Sequence, residues 1–362
     1  MNQLFLRNQL CVPVNGYNRA IIYDILRKDY FLIPKEHCAI LDTNDFIQFD
    51  KIKDVEDREE LIDFLINEEI IFELSTSEQK KHFKSLNRNF ETPNRVTNVI
   101  VHSNIDFNFL ELIKDEYILN LSIISQKIDD NLFEILQKVS ELELDSIYLY
   151  IENINIEKLE EYQKQLANYS LIFSVNFFNS KNIIDKTQLS QNIYYNFFEE
   201  EFSTYKKTLS IDKLAINTEH FLEAYNFHSY YFGKVYVDEN GNIKNGLNNL
   251  ENFGSVKSIT PSQFKEIITS SNFKELGNIK KKETLICRDC EFRYMCVDSR
   301  VPSKGKNHWF HQSECVYNPY LSKWSNEEGY LNLEESGVYI SASGCKIDKE
   351  KLSKNFDKIW NT

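Results

Sequence analysis

The sequence is poor in the residues that punctuate a chain. Only 10 glycines and 6 prolines occur among 362 residues, which excludes collagen-like and low-complexity polypeptides and most disordered scaffolds. No apolar run approaches the roughly 20 residues that a membrane-spanning helix requires, so no membrane partner is expected. The opening Met1-Asn2-Gln3-Leu4-Phe5-Leu6-Arg7-Asn8 has no basic region ahead of a long apolar stretch and does not read as a signal peptide. Positive charge is also scarce: 42 Lys and Arg against 55 Asp and Glu give a net charge of −13. A surface of that sign repels phosphate backbones, which argues against a nucleic-acid partner. There is no P-loop, no nucleophile elbow and no His-Glu-x-x-His helix. Cysteine is present in an odd number, seven, with three of the seven inside ten residues. That is a poor disulfide framework, and a cytoplasmic protein with a local thiol cluster is the expectation.

Core-forming material is ample, at 42% hydrophobic and 14% aromatic residues, and the length suits two or three domains. Residues 1–92 read as one unit. Two apolar runs, Leu10 to Val14 and Ala20 to Asp24, flank the turn signal Asn15-Gly16-Tyr17-Asn18 and predict a hairpin. Tyr30 to Ile33 is a third strand, Pro34 can open a helix, Arg58 to Ile66 has helical spacing, and Ile70 to Leu74 reads as a strand. The sum is a small winged-helix-like module. Thr92-Pro93-Asn94 is the expected linker.

Residues 93–225 then repeat a strand and a helix about every 25 residues. Strands fall at Val96–Val101, Ile118–Ile124, Ile147–Ile151 and Leu171–Phe177, and helices at Phe107–Lys114, Asn131–Leu142 and Glu157–Leu166. Near-continuous apolar strands between amphipathic helices imply βα units on a parallel sheet. There are too few for a closed eight-stranded barrel, so the expectation is a partial βα barrel or open parallel sheet in an α/β (α+β overall) chain. Residues 226–362 carry a hairpin around Asn240-Gly241, the cysteine segment, and a Lys-rich helix from Asp348 to Trp360.

The run Cys287-Arg-Asp-Cys290-Glu-Phe-Arg-Tyr-Met-Cys296 is the most informative stretch. A Cys-x2-Cys turn aims two thiolates at one metal centre, and a third Cys completes a corner. Cys315 supplies a fourth sulfur. Four thiolates suit tetrahedral Zn²⁺ or a [4Fe–4S] cluster, and donor type alone does not separate them. His308 and His311 are weaker candidates for one position. Cys11, Cys38 and Cys345 are isolated and read as small apolar side chains.

Together with Cys315-Val-Tyr-Asn-Pro-Tyr320, that run resembles the SPASM domain of peptide-modifying proteins. More narrowly, the chain resembles the SPASM-domain peptide maturases of grasp-with-spasm systems, through Val14 to Asp24 and Lys234 to Asn245 as well. The resemblance implies a protein that matures a ribosomally synthesised, post-translationally modified peptide. Its implied partners are the precursor peptide and an ATP-grasp ligase, and a homodimer is left open. It also implies two iron–sulfur sites, of which this chain keeps one, at Cys287, Cys290, Cys296 and Cys315. The neighbourhoods of the other set hold Tyr230-Tyr231, Asn245-Gly246 and Ser299-Arg300, with no thiolate. The Cys-x3-Cys-x2-Cys loop of radical S-adenosylmethionine enzymes is absent, so no S-adenosylmethionine is expected and the chain reads as a degenerate relative. Catalytic residues are not identified. Two functions follow. One is an accessory factor whose N-terminal module grips the leader peptide as an added strand, with Tyr17, Arg19, Ile21 and Tyr23 near the grip. The other is a redox enzyme using the single remaining cluster. A [4Fe–4S] cluster is preferred over Zn²⁺ because the resemblance favours iron.

Overall fold

The computed structural model describes residues 3–93, 95–180, 187–207 and 209–360. Strands β1 (Leu4–Arg7), β2 (Cys11–Asn15), β3 (Arg19–Asp24) and β4 (Asp29–Pro34) come first, followed by helices α1 (Lys35–Leu41) and α2 (Val55–Asn67) and strand β5 (Ile71–Leu74). Strands β2, β3 and β4 form an antiparallel sheet with β3 in the middle, and β1 pairs with β5. The anticipated hairpin is present, with the Gly16 N–H donating to the Arg19 carbonyl at 2.9 Å across its turn. Pro13 sits on the edge strand β2, where a missing N–H is harmless. Helix α2 is capped by Asp54, whose side chain accepts from the Asp57 N–H. Alternation along β3 divides its side chains. Ala20 and Ile22 join Cys38, Leu61 and Leu65 in the module's own core. Ile21 and Tyr23 pack with Phe221, Phe292, Tyr317 and Trp324, far along the chain. The small sheet is therefore buried on both faces. Of the linker Thr92-Pro93-Asn94, Asn94 lies outside the described residues.

The main sheet has eight strands and is mostly parallel. Its elements are β6 (Val96–His102), α3 (Asn108–Ile113), β7 (Ile118–Ser125), α4 (Asp130–Val139), β8 (Ser146–Ile151), α5 (Leu159–Leu166), β9 (Ile172–Phe177), β10 (Thr187–Ser190) and β11 (Ile193–Phe197). These are followed by α6 (Phe202–Tyr205), α7 (Thr218–Asn226), β12 (Lys234–Val237), β13 (Ile243–Lys244) and α8 (Pro261–Thr269). The strand order is β10-β11-β9-β8-β7-β6-β12-β13, with only the outermost pairings antiparallel. The chain is thus a mixed α/β protein with an open, largely parallel sheet. The expected strands and helices of residues 93–177 are all found, with ends shifted by up to three residues. The sheet runs across residues 225/226, because β12 lies parallel to β6 with Val235 opposite Val99. Strands β10 and β11 had no sequence counterpart.

Helices α3, α4, α5 and α8 cover one face of this sheet, and the single turn α6 packs on the other. Val99, Val101, Leu121, Ile123, Leu149 and Val175 pack on the first face with Leu132, Leu136, Phe264 and Ile268 from α4 and α8. The alternate residues, such as Asn98, Ser122 and Tyr150, point to the other face and border an open cavity there. Residues 287–360 form short hairpins and single turns, closed by a helix over Lys349–Trp360.

Candidate metal centre

The cysteine segment folds as two successive tight turns, Cys287–Asp289 and Glu291–Tyr294. Ile286 enters the first with φ at +68°, a left-handed backbone that a β-branched residue rarely adopts. Cys287, Cys290, Cys296 and Cys315, none of them in a disulfide, then line one cavity of about 310 Å³. Spacing alone anticipated this quartet, and the fold brings all four to one place.

Burial pushes every one of these thiols up, Cys296 to about 12. Cations act the other way at three of them, with Lys281 opposing burial at Cys287 and Cys296 and Arg300 at Cys287 and Cys315, while the Glu291 carboxylate adds to the upward shift of Cys290. Those cations are fixed in place. Lys281 and Asp298 are each only 2% exposed, with Nζ 3.1 Å from Oδ2. Arg300 Nη2 reaches the same oxygen at 2.7 Å, and its Nε and backbone N–H donate to Oδ1 at 3.0 Å. Burial would raise the Asp298 carboxyl, but the two cations outweigh it and hold the group well below the usual range. Two cations against one carboxylate leave a positive surplus facing Cys287, Cys296 and Cys315. That surplus favours the thiolate form, which any metal needs.

His311 also lines the cavity. It is 8% exposed, neither ring nitrogen has a hydrogen-bond partner, and burial depresses its pKa to about 3, so it is neutral and able to ligate. Among the described residues, Cys287, Asp298 and His311 are the one trio with donor atoms within 4.8 Å of one another. Asp298 in that trio is already occupied by Lys281 and Arg300. No three of the four sulfurs form such a group among the described residues. His308 lies outside the cavity and faces the Ser341 carbonyl at 3.3 Å. Cys345 packs beside Tyr320 in a separate apolar cluster. Cys11 and Cys38 are buried in the N-terminal core.

No family model and no curated protein matches this chain. The site is therefore read from its own geometry, and two features of that geometry extend the sequence reading. First, the three thiol-free neighbourhoods Tyr230-Tyr231, Asn245-Gly246 and Ser299-Arg300 meet in space. Tyr231 Oη donates to the Ser299 carbonyl at 2.7 Å, and Asn245 Nδ2 donates to the Tyr231 carbonyl at 3.0 Å. Gly246 has φ at +104°, and a Cβ there would lie 2.8 Å from the Tyr231 ring. Tyrosine rings and amide hydrogen bonds fill that place.

Second, the N-terminal hairpin is docked against the cysteine segment. Arg19 Nε pairs with Glu291 Oε1 at 2.7 Å, and Glu291, next to Cys290, has no exposed surface. Tyr317 Oη donates to the same carboxylate oxygen, and Tyr23 Oη donates to the Glu291 carbonyl. The Tyr17 N–H donates to the Asp289 carbonyl at 2.8 Å, and its ring lies 4.5 Å from that of Tyr320. Ile21 is fully buried. Gly16 makes the approach feasible, since a Cβ there would lie 2.7 Å from Glu291 Oε2. Tyr17, Arg19, Ile21 and Tyr23 are thus committed to contacts inside the chain, and β3, which carries three of them, has no free edge. Sequence reasoning missed Glu291, Lys281, Asp298 and Arg300. The available signal was their position within or beside the cysteine run.

Proposed function

We propose that this chain is an accessory maturation factor for a ribosomally made peptide, similar to the SPASM-domain maturases of grasp-with-spasm systems. It binds the precursor beside an ATP-grasp ligase and keeps one four-thiolate centre. The observation that carries this reading is the cavity lined by Cys287, Cys290, Cys296 and Cys315. The filled meeting point of the second, thiol-free set supports it, because one site is intact and the other is closed by large side chains.

The donor set fits a [4Fe–4S] cluster. Four thiolates suit tetrahedral zinc as well, and the resemblance to a family that holds iron–sulfur clusters is what favours iron. With four protein thiolates such a centre passes electrons or braces the fold, and Lys281 and Arg300 balance its charge.

The N-terminal module is read as winged-helix-like, and the strand edge it offers a leader peptide is β4. Leu32 there is 46% exposed, and α2 stands alongside, with the Phe31 and Phe64 rings 5.7 Å apart. Helix α2 carries the exposed acids Glu56, Asp57, Glu59, Glu60 and Asp63, so a leader with basic residues flanking an apolar one fits best. The test is twofold. Anaerobically purified full-length protein should contain about four irons and four labile sulfides per chain and absorb broadly in the visible. Calorimetry should show precursor binding that Leu32→Glu weakens at least tenfold. A protein holding one zinc and no sulfide fails the first part, and unchanged binding by Leu32→Glu fails the second.

A further inference from the structure

The opposite face of the main sheet, where α6 packs, borders a second cavity, of about 370 Å³. Its floor is the outward-alternating residues of β6, β7 and β8, and Phe202 and Tyr205 of α6 form one wall. Lys206, Lys213 and Lys234 reach into it, and among the described residues no Asp or Glu lines it. In a chain of net charge −13, three ammonium groups in one carboxylate-free cavity are a marked local reversal of sign. Lys213 is partly satisfied, donating to the Tyr205 carbonyl at 3.0 Å with Glu200 at 3.9 Å. Among the described residues neither Lys234 nor Lys206 has a carboxylate within 4.0 Å. Lys234 Nζ lies 4.3 Å from the centre of the Tyr230 ring, and burial lowers its pKa to about 8, with Glu223 partly opposing. The Asn98 Oδ1 at the floor has no hydrogen-bond partner.

The cavity has an entrance. It shares Ile124, Phe202, Lys206 and Leu247 with a neighbouring space of about 330 Å³. That space opens at His102, Glu152, Asn179 and Glu239, which lie at or just past the C-terminal ends of β6, β8, β9 and β12. The C-terminal edge of a parallel sheet is where open α/β folds place ligands.

We propose that this cavity is a binding site for a small oxyanion with a planar apolar body, its carboxylate or phosphate held by Lys234 and Lys206 and its ring packed against Tyr150 and Phe202. The chemistry is complementary throughout. Half-buried ammonium groups with no carboxylate in contact gain from an arriving counter-charge, aromatic walls take a ring face, and the size suits a ligand rather than a few waters. The site does not depend on the thiol centre, although the segment Cys296–Arg300 separates the two. Val297 and Ser299 face the oxyanion cavity, while Cys296, Asp298 and Arg300 face the thiols.

Calorimetry of the full-length protein with phenyl phosphate and with phenylacetate tests this, with benzyl alcohol as the neutral comparison. One of the two anions should bind saturably and benzyl alcohol at least tenfold more weakly. The tighter anion identifies the source as phosphate or carboxylate. Lys234→Met should weaken that binding at least tenfold, and Lys265→Met, on the exposed side of α8, should leave it unchanged. Unmodified protein gives a second measurement: the preferred anion should protect Lys234 from reductive methylation, read by peptide mass spectrometry. If neither anion binds, or if binding neither protects Lys234 nor responds to Lys234→Met, the proposal is overturned. A metal-free Cys290→Ser protein that still binds the anion separates this site from the proposed function.

Discussion

The two cavities on either side of Cys296–Arg300 are built on opposite electrostatic plans. Around the thiols the cations already have a carboxylate in contact, with Lys281 and Arg300 both bound to Asp298. On the opposite face of the sheet neither Lys234 nor Lys206 has a carboxylate within 4.0 Å among the described residues, and Glu223 acts on Lys234 only from farther away. A buried charge with a partner holds the fold, and removing one member leaves the other exposed to the low-dielectric interior. A buried charge without a partner costs stability and is tolerated where a ligand supplies the missing half. The same residue type, lysine, thus serves the fold at one position and costs it at the other.

The largest expected effect is on the thiol side. Cys290→Ser should release the metal and lower the melting temperature of the C-terminal segment, measured by metal analysis and calorimetric scanning. Full metal content with unchanged melting would break the comparison at its first premise. Next, Asp298→Ala strands Lys281 and should cost about 3–5 kcal/mol in denaturant unfolding. The pH dependence has a definite sign. The Asp298 carboxyl is depressed in the folded state, so its contribution is complete above its unfolded value of about 4 and is lost as pH falls below it. Asp298→Asn should therefore flatten the acid limb of the stability curve.

Lys234→Met should do the reverse. A lysine whose pKa is lowered to about 8 penalises the folded state wherever it is charged, so the substitution should stabilise the protein at pH 7 by an order of 1–3 kcal/mol. In the parent, stability from this group should rise between pH 8 and about 10.5 as the unfolded chain alone keeps the proton. Destabilisation by Lys234→Met at neutral pH would show that Lys234 has a structural partner. Smaller still, Glu291→Gln weakens the Arg19 contact and should cost about 1–2 kcal/mol without loss of metal. Smallest is Cys345→Ser, which should leave metal content unchanged and shift stability by less than about 0.5 kcal/mol.

How much of this was legible depends on whether a feature is local in sequence. Strands β6 to β9 were readable because they are apolar runs separated from one another by helical repeats. The hairpin at Lys234–Lys244 was readable from Asn240-Gly241, but nothing in it announces that β12 pairs with Val99 and Ile100 more than a hundred residues earlier. The cysteine quartet was readable from spacing. Lys281, Asp298 and Arg300 were not, because single charged residues in a charged sequence carry no period. The lysines of the second cavity were hidden for the same reason. The hairpin residues Arg19 and Tyr23 stood out by type, and what they touch, Glu291 and its carbonyl, only the tertiary structure could supply.

The dividing segment has a consequence for how the molecule tolerates change. Its side chains alternate between two chemistries, sulfur and carboxylate on one side, apolar and hydroxyl on the other. Exchanging a single residue there disturbs one compartment and leaves the other intact. Deleting one inverts the whole reading frame of the partition, sending Asp298 toward the lysines and Val297 toward the sulfurs, so both compartments fail together. Length, more than identity, is what this stretch of five residues has to conserve.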